Sequence, residues 1–264
     1  MKKLIFILLT ITFAYSQTEP VKDIHSNSPR VWALTHAMIH TEPGDFIKDG
    51  IIIIREGKID KVGRYIQIPS DAYEIDLEGA NVYAGFIDGW LEIKQDEKIK
   101  SPDDHWNDKM RAEYRVKNDF KIKDKDLKAL RSIGITTAHI VPEKGIFKGK
   151  SDLVVLNDSY LSVAKNVAQV MSFKTGGWGD GYPHSLLGII AFMRQSLLDA
   201  EWFGKSMNIL EKYPDENEPI PLNPSLEALE EFRANRRPML FMTKEEHGAL
   251  RALNISREFN LNPW

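Results

Sequence analysis

Seven histidines and no cysteines set the chemical inventory of this 264-residue chain. Without a thiol it has no cysteine nucleophile, no Cys-type zinc site and no iron–sulfur cluster. The imidazoles are dispersed. His36 and His40 fall four apart on a predicted strand, on one face but about 13 Å apart, too far to share a metal. His139 ends a β-branched run and reads either as a hydrogen-bonded core histidine or as a weak ligand candidate. His184 follows the glycine-rich stretch Gly176 to Gly181 and reads as a solvated loop residue, or as a weak candidate lining a loop over a site. His25, His105 and His247 have no partner at ligand spacing. Gly145 to Ser151 ends in Gly-Lys-Ser, yet its glycines are one residue too close for a phosphate loop, and no helix opens after it. It reads as a turn. Trp106, Trp178 and Trp202 could offer a sugar-stacking surface, but residues so far apart in sequence more often anchor packing. The run from Lys94 to Lys125 carries charges of both signs and reads as a solvated helix with loops.

The elements that must position these residues follow from composition and pattern. Lys plus Arg is 35 and Asp plus Glu 38, a formal charge of −3, with 42% apolar residues. This is a globular composition without the basic excess that nucleic-acid binding requires. Lys2 and Lys3, an apolar run from Leu4 to Phe13 and Ala14-Tyr15-Ser16 form an export signal over residues 1–16, too short to span a bilayer. An exported protein, periplasmic or extracellular, starting at Gln17 is expected, with no lipid anchor, since Gln17 stands where a lipoprotein needs Cys. Residues 17–30 are a polar lead-in. Val31 to Ile39, Gly50 to Arg55, Lys58 to Val62, Tyr73 to Leu77 and Asn81 to Ile87 are predicted strands of a small β-meander, with Glu56-Gly57 as a tight hairpin turn. A helix over Lys125 to Ser132 leads to a strand over Ile135 to Val141. Leu153 to Leu156 and Val167 to Phe173 are expected to form an inserted hairpin. Ser185 to Leu210 is the strongest helix, with Leu186, Ile189, Ile190, Met193, Leu197 and Leu198 at helical spacing. A proline-rich loop, a helix over Pro224 to Asn235, a buried strand over Pro238 to Met242 and a helix over Lys244 to Phe259 complete an α/β order with a parallel sheet.

Several segments carry a family resemblance. Ala37-Met38-Ile39-His40, Asp49 to Ile53, Gly57 to Gly63 and Ile75 to Gly79 precede Val82-Tyr83-Ala84-Gly85-Phe86-Ile87-Asp88. This succession resembles the opening of the amidohydrolase superfamily, in its imidazolonepropionase-like branch. Asp126 to Pro142, with Gly134-Ile135-Thr136-Thr137, is similar to the helix and second strand. Gly145 to Ser151, Pro183 to Gly188 and Arg194 to Ala200 resemble an exported subgroup whose members hold two amidohydrolase-like halves in one long chain. The resemblance implies a small N-terminal β-sandwich segment over residues 17–84. A partial TIM-type (β/α) barrel would follow over residues 85–264, fewer than the about 250 of a complete barrel. The chain then reads as an N-terminal fragment whose partner is the remainder of a longer parent.

The family hydrolyses non-peptide carbon–nitrogen bonds of amides or lactams with a metal-activated water, using zinc or another divalent ion. Its first ligands are a His-x-His pair just after Ile-Asp, whose i and i+2 side chains share a strand face. Here Trp90 and Glu92 occupy those positions. On the strand preceded by Arg-x-x-x-Pro, Met242 and Lys244 stand where further ligands are expected. Trp cannot ligate a metal, one carboxylate poorly replaces two imidazoles, and an ammonium repels a cation. The resemblance therefore implies a catalytically degenerate half with no resident cofactor. Two alternatives stay open: an active enzyme with unusual ligands such as Glu92, His139 and His184, or a non-enzymatic ligand-binding barrel with Trp90 as a stacking surface.

Overall fold

The computed structural model describes residues 30–95, 104–157, 160–174, 181–215 and 218–264. The expected export signal, His25, Trp178 and most of the glycine-rich stretch lie outside these. The chain divides into two compact units, Met1–Ala84 and Gly85–Trp264. Among the described residues no helix is long and apolar enough to cross a membrane.

The first unit is one sheet, built on β1 (Val31–Glu42). Every second residue of β1 from Val31 to Ile39 is buried, the alternation of a half-buried strand. β2 (Asp45–Arg55) and β3 (Lys58–Gly63) follow antiparallel. Glu56 and Gly57 join them, both with positive φ (50° and 76°), as a two-residue type I′ turn requires. The simple meander expected from the sequence is not found beyond β3. β4 (Tyr73–Asp76) and β5 (Asn81–Val82) both run parallel to β1 on its other side. The chain must cross over to get there, and Ile66, Ile68 and Ala72 of the crossing pack onto Val31, Ala33 and Ile53. The run from Asn81 to Ile87 is likewise not one strand. It breaks at Gly85, where a Cβ would lie 2.1 Å from the Thr136 hydroxyl.

The second unit is mixed α/β, with two four-stranded sheets and no closed barrel among the described residues. One sheet has the order β10-β9-β7-β6, from β6 (Phe86–Ile93), β7 (Ile135–Pro142), β9 (Asp152–Val155) and β10 (Ser162–Ala164). β6 and β7 are parallel, joined through helix α1 (Asp124–Ser132). The other has the order β13-β12-β11-β8, from β8 (Phe147–Lys150), β11 (Gln169–Ser172), β12 (Pro238–Met242) and β13 (Asn262–Pro263). Here β11, β12 and β13 are parallel. Helices α2 (Leu186–Lys212) and α3 (Pro224–Ala234) precede β12, and α4 (Glu246–Glu258) follows it. The apolar core of this sheet gathers Phe147, Met171, Met239 and Phe241 with Phe192, Leu197, Leu229, Phe232 and Ile255 of the helices.

Four expectations are corrected. Leu153 to Leu156 and Val167 to Phe173 are not a hairpin, because β9 pairs with β7 and β10 while β11 pairs with β8 and β12. Gly145 to Ser151 is more than a turn, since Phe147–Lys150 is a strand with three buried residues. In the charged run from Lys94 to Lys125, His105, Asn107, Met110, Arg111, Ala112, Val116 and Phe120 are buried. That stretch lies along β8, with Arg111 N bonding Phe147 O at 2.9 Å and Lys150 N bonding Tyr114 O at 2.7 Å. Its backbone is strapped to a strand, so part of its side chains must point inward. Leu198, read as part of the apolar repeat of α2, is exposed.

Candidate functional site

The site is the end of the parallel pair β6 and β7. Leu91 and Ile93 of β6 join Ala138 and Ile140 of β7 in the cluster that holds Leu127 and Leu130 of α1. By strand alternation Glu92 and His139 face the other side, and Trp90 falls at a break in the register. A register shift between Asp88 and Leu91 inserts an extra residue in β6. Asp88 Oδ1 accepts from Trp90 N at 3.0 Å and braces this bulge. Trp90 remains 39% exposed.

Glu92 meets a residue that the sequence did not single out. Lys148 of β8 places Nζ 3.4 Å from Glu92 Oε1 and also donates to the Glu143 carbonyl. The lysine side chain is 2% exposed and that of Glu92 39%, so an inward ammonium meets a carboxylate at the rim. Burial pushes the Lys148 pKa down, opposed by the attraction of Glu92. Buried Gln95 extends the network. Its Nε2 donates to Lys148 O at 3.1 Å, and its Oε1 accepts from Arg111 Nη1 at 3.1 Å and from Lys144 N at 2.9 Å.

His139 sits beside this network. Its Nε2 is 2.8 Å from Ser151 Oγ, and the ring also hydrogen-bonds the backbone at Gly89. Burial pushes its pKa below the ordinary value of 6.5. A serine within bonding distance of a histidine invites a nucleophile reading. Ser151, however, is fully buried, and its hydroxyl accepts from Ala168 N and donates to Ala168 O. It locks the junction of β8 and β9 to the chain before β11. The next residue, Asp152, is fully buried too. It accepts from Arg115 Nη2 at 2.9 Å, Ser162 Oγ at 3.4 Å and Asn166 N at 2.7 Å.

The other candidates are not gathered here. Met242 closes β12, paired in register with Ser172. Lys244 lies past the strand end, exposed. His184 is exposed, one residue before Ser185, which caps α2 by accepting from Gly188 N at 3.1 Å. His36 pairs with Asp76 at 3.1 Å, and His40 bonds Asn81 and stacks on Tyr83, both within the first unit. Trp106 packs against Tyr182 and Phe192.

A divalent metal, as the resemblance implies, does not fit the donors present. Trp90 offers no lone pair, Glu92 faces an ammonium, and the His139 ring is engaged with Ser151 and Gly89. Among the described residues no group of three or more His, Asp or Glu could hold a metal ion. The residues that sequence reasoning missed are Lys148, Gln95, Arg111 and Glu143. Only the alternation of Phe147-Lys148-Gly149-Lys150 next to buried Ile146 hinted at a strand there.

No protein-family model matches the chain, and no curated protein matches it. Among solved structures it is similar to the crystal structure of an amidohydrolase from Thermotoga maritima MSB8. The TM-score is 0.73 at 20% identity, over 88% of this chain and 63% of that one. The likeness establishes a shared fold, and the chain spans about 63% of the length of that structure.

Proposed function

We propose that this chain is an amidohydrolase-like segment of the imidazolonepropionase-like branch whose own metal site has been lost. On this reading β6, β7, β11 and β12 are strands of a partial (β/α) barrel and the first unit belongs to a β-sandwich segment. The chain is the exported N-terminal part of a longer parent, and it supports or caps a working half elsewhere in that parent. The family's chemistry, hydrolysis of amide or lactam carbon–nitrogen bonds, then belongs to the parent. The shared fold supports the superfamily, and coverage of 63% of the neighbour is in keeping with a partial barrel. One observation carries the loss of the site: at Trp90 and Glu92, where the resemblance puts the two histidines, one side chain is an indole and the other a carboxylate paired with a buried ammonium.

With no metal that these donors fit, no catalytic step is assigned to the chain. Its residues instead hold the strand end together. Lys148 neutralises Glu92, Gln95 ties β6 to β8 and Arg111, and His139 ties β7 to Ser151. The test is a hydrolysis assay of the purified chain against a panel of cyclic and acyclic amides, with added zinc or manganese. No turnover above buffer is expected. Turnover that disappears in Glu92→Ala or His139→Ala would overturn the reading in favour of an enzyme with unusual ligands.

A further inference from the structure

We propose that the Lys148 ammonium is the resident cation of this strand end, holding the place beside Glu92 that the resemblance would give to a divalent metal. This rests on the reading of β6 as the strand that opens the barrel. The atoms facing Nζ are oxygen acceptors, the Glu92 carboxylate and the Glu143 carbonyl, a set that a hard cation would take. The pair is asymmetric. Glu92 reaches solvent, while the ammonium is the buried member and comes from the protein itself. Lys174 lies close enough to act on Lys148 as a second positive charge, so an arriving divalent ion meets repulsion as well as an occupied carboxylate.

The backbone on both sides of Lys148 is closely packed. Gly149 has φ +118°, and a Cβ there would lie 2.5 Å from Tyr114 O. Gly145 has φ +103°, with the Lys109 carbonyl 3.1 Å from its would-be Cβ. These two close approaches press β8 against the 109–115 strap, and Phe147 and Lys148 between them are buried. The charge that neutralises Glu92 is therefore built into the fold and cannot be washed out by a chelator.

The test titrates zinc chloride, manganese chloride and methylammonium chloride into the full chain and into Lys148→Ala, read by the thermal unfolding midpoint. The wild-type midpoint is expected to ignore all three. Lys148→Ala is expected to unfold at a lower temperature and to recover saturably with at least one of these cations, because binding to the folded state alone raises its stability. The double variant Glu92→Gln/Lys148→Ala should recover with none. A Lys148→Ala chain indifferent to every cation, or recovery that persists in the double variant, overturns the proposal and leaves the lost metal site standing. Stoichiometric zinc in the wild type that Glu92→Gln abolishes overturns both. If Lys148→Ala does not fold, a double-mutant cycle of Lys148→Met with Glu92→Gln replaces it. Coupling of about tenfold or more in the unfolding equilibrium supports the pair, and additive effects overturn it.

Discussion

The two parallel strand pairs of the second unit end in opposite ways. β6 and β7 end among Glu92, Lys148, Gln95 and Arg111, linked by an ion pair and hydrogen bonds, with His139 on Ser151 beside them; all of these but Glu92 are buried or half-buried. β11 and β12 end in Ser172 and Met242, then Phe173 stacked on Phe241, with Lys244 exposed beyond. The first end has taken charge inside and must neutralise it. The second keeps its charges, Lys174 and Lys244, on exposed residues and rests on apolar volume. Both are positions where the resemblance expects ligands, and the proposed loss of the site would then take two forms, a cation of the chain's own at one end and apolar packing at the other.

Variants that remove one currency and leave the other should separate the two ends. Leu197→Ala, in the apolar core behind β11 and β12, is expected to cost about 4 kcal/mol. A urea titration measures it, and the loss should be equal at pH 5.5 and 7.5, since no charge is involved. Arg115→Met, near the polar end, strands fully buried Asp152 and should cost about 3 kcal/mol, the lower range for a broken buried pair, because Asp152 keeps two hydrogen bonds. Adding Asp152→Asn should recover part of that loss, and a fully additive cycle would refute the pairing. Asn223→Ala removes the side chain that caps α3 at Leu226 N and should cost about 1 kcal/mol at either pH.

The smallest effect is the pH dependence of the polar end. Burial lowers the His139 pKa below 6.5, so between the folded and unfolded values the unfolded chain holds more protons. Stability is then full above about pH 6.5 and falls as the solution is acidified. His139→Gln should flatten this slope between about pH 5 and 6.5 without abolishing it, since burial lowers His105 in the same direction. Urea midpoints across that range show it, and an unchanged slope would remove His139 from the polar end's account.

What could be read from the sequence follows the same division. Apolar alternation marked β1, the repeat at Ile189, Met193 and Leu197 marked α2, and the turn at Glu56-Gly57 was legible because only a φ-permissive pair fits it. Spacing alone sets Trp90 and Glu92 on one strand face, and it carries no sign of the bulge that falls at Trp90. Lys148 was not legible. A lysine in Phe-Lys-Gly-Lys reads as solvated, and its burial depends on a carboxylate 56 residues away and on a strap of charged sequence that looked exposed. The false hairpin of 153–156 with 167–173 has a related cause. Ser151 hands the chain from one sheet to the other, and periodicity within each strand carries no record of which sheet receives it.

Whether Glu92 is available to a metal separates a lost site from a working one. Metal content of the full chain, refolded with excess zinc, dialysed and measured by elemental analysis beside Glu92→Gln, decides it. A zinc content far below one ion per chain, the same in both proteins, is the predicted result; a full equivalent in the wild type that is absent from Glu92→Gln would contradict it.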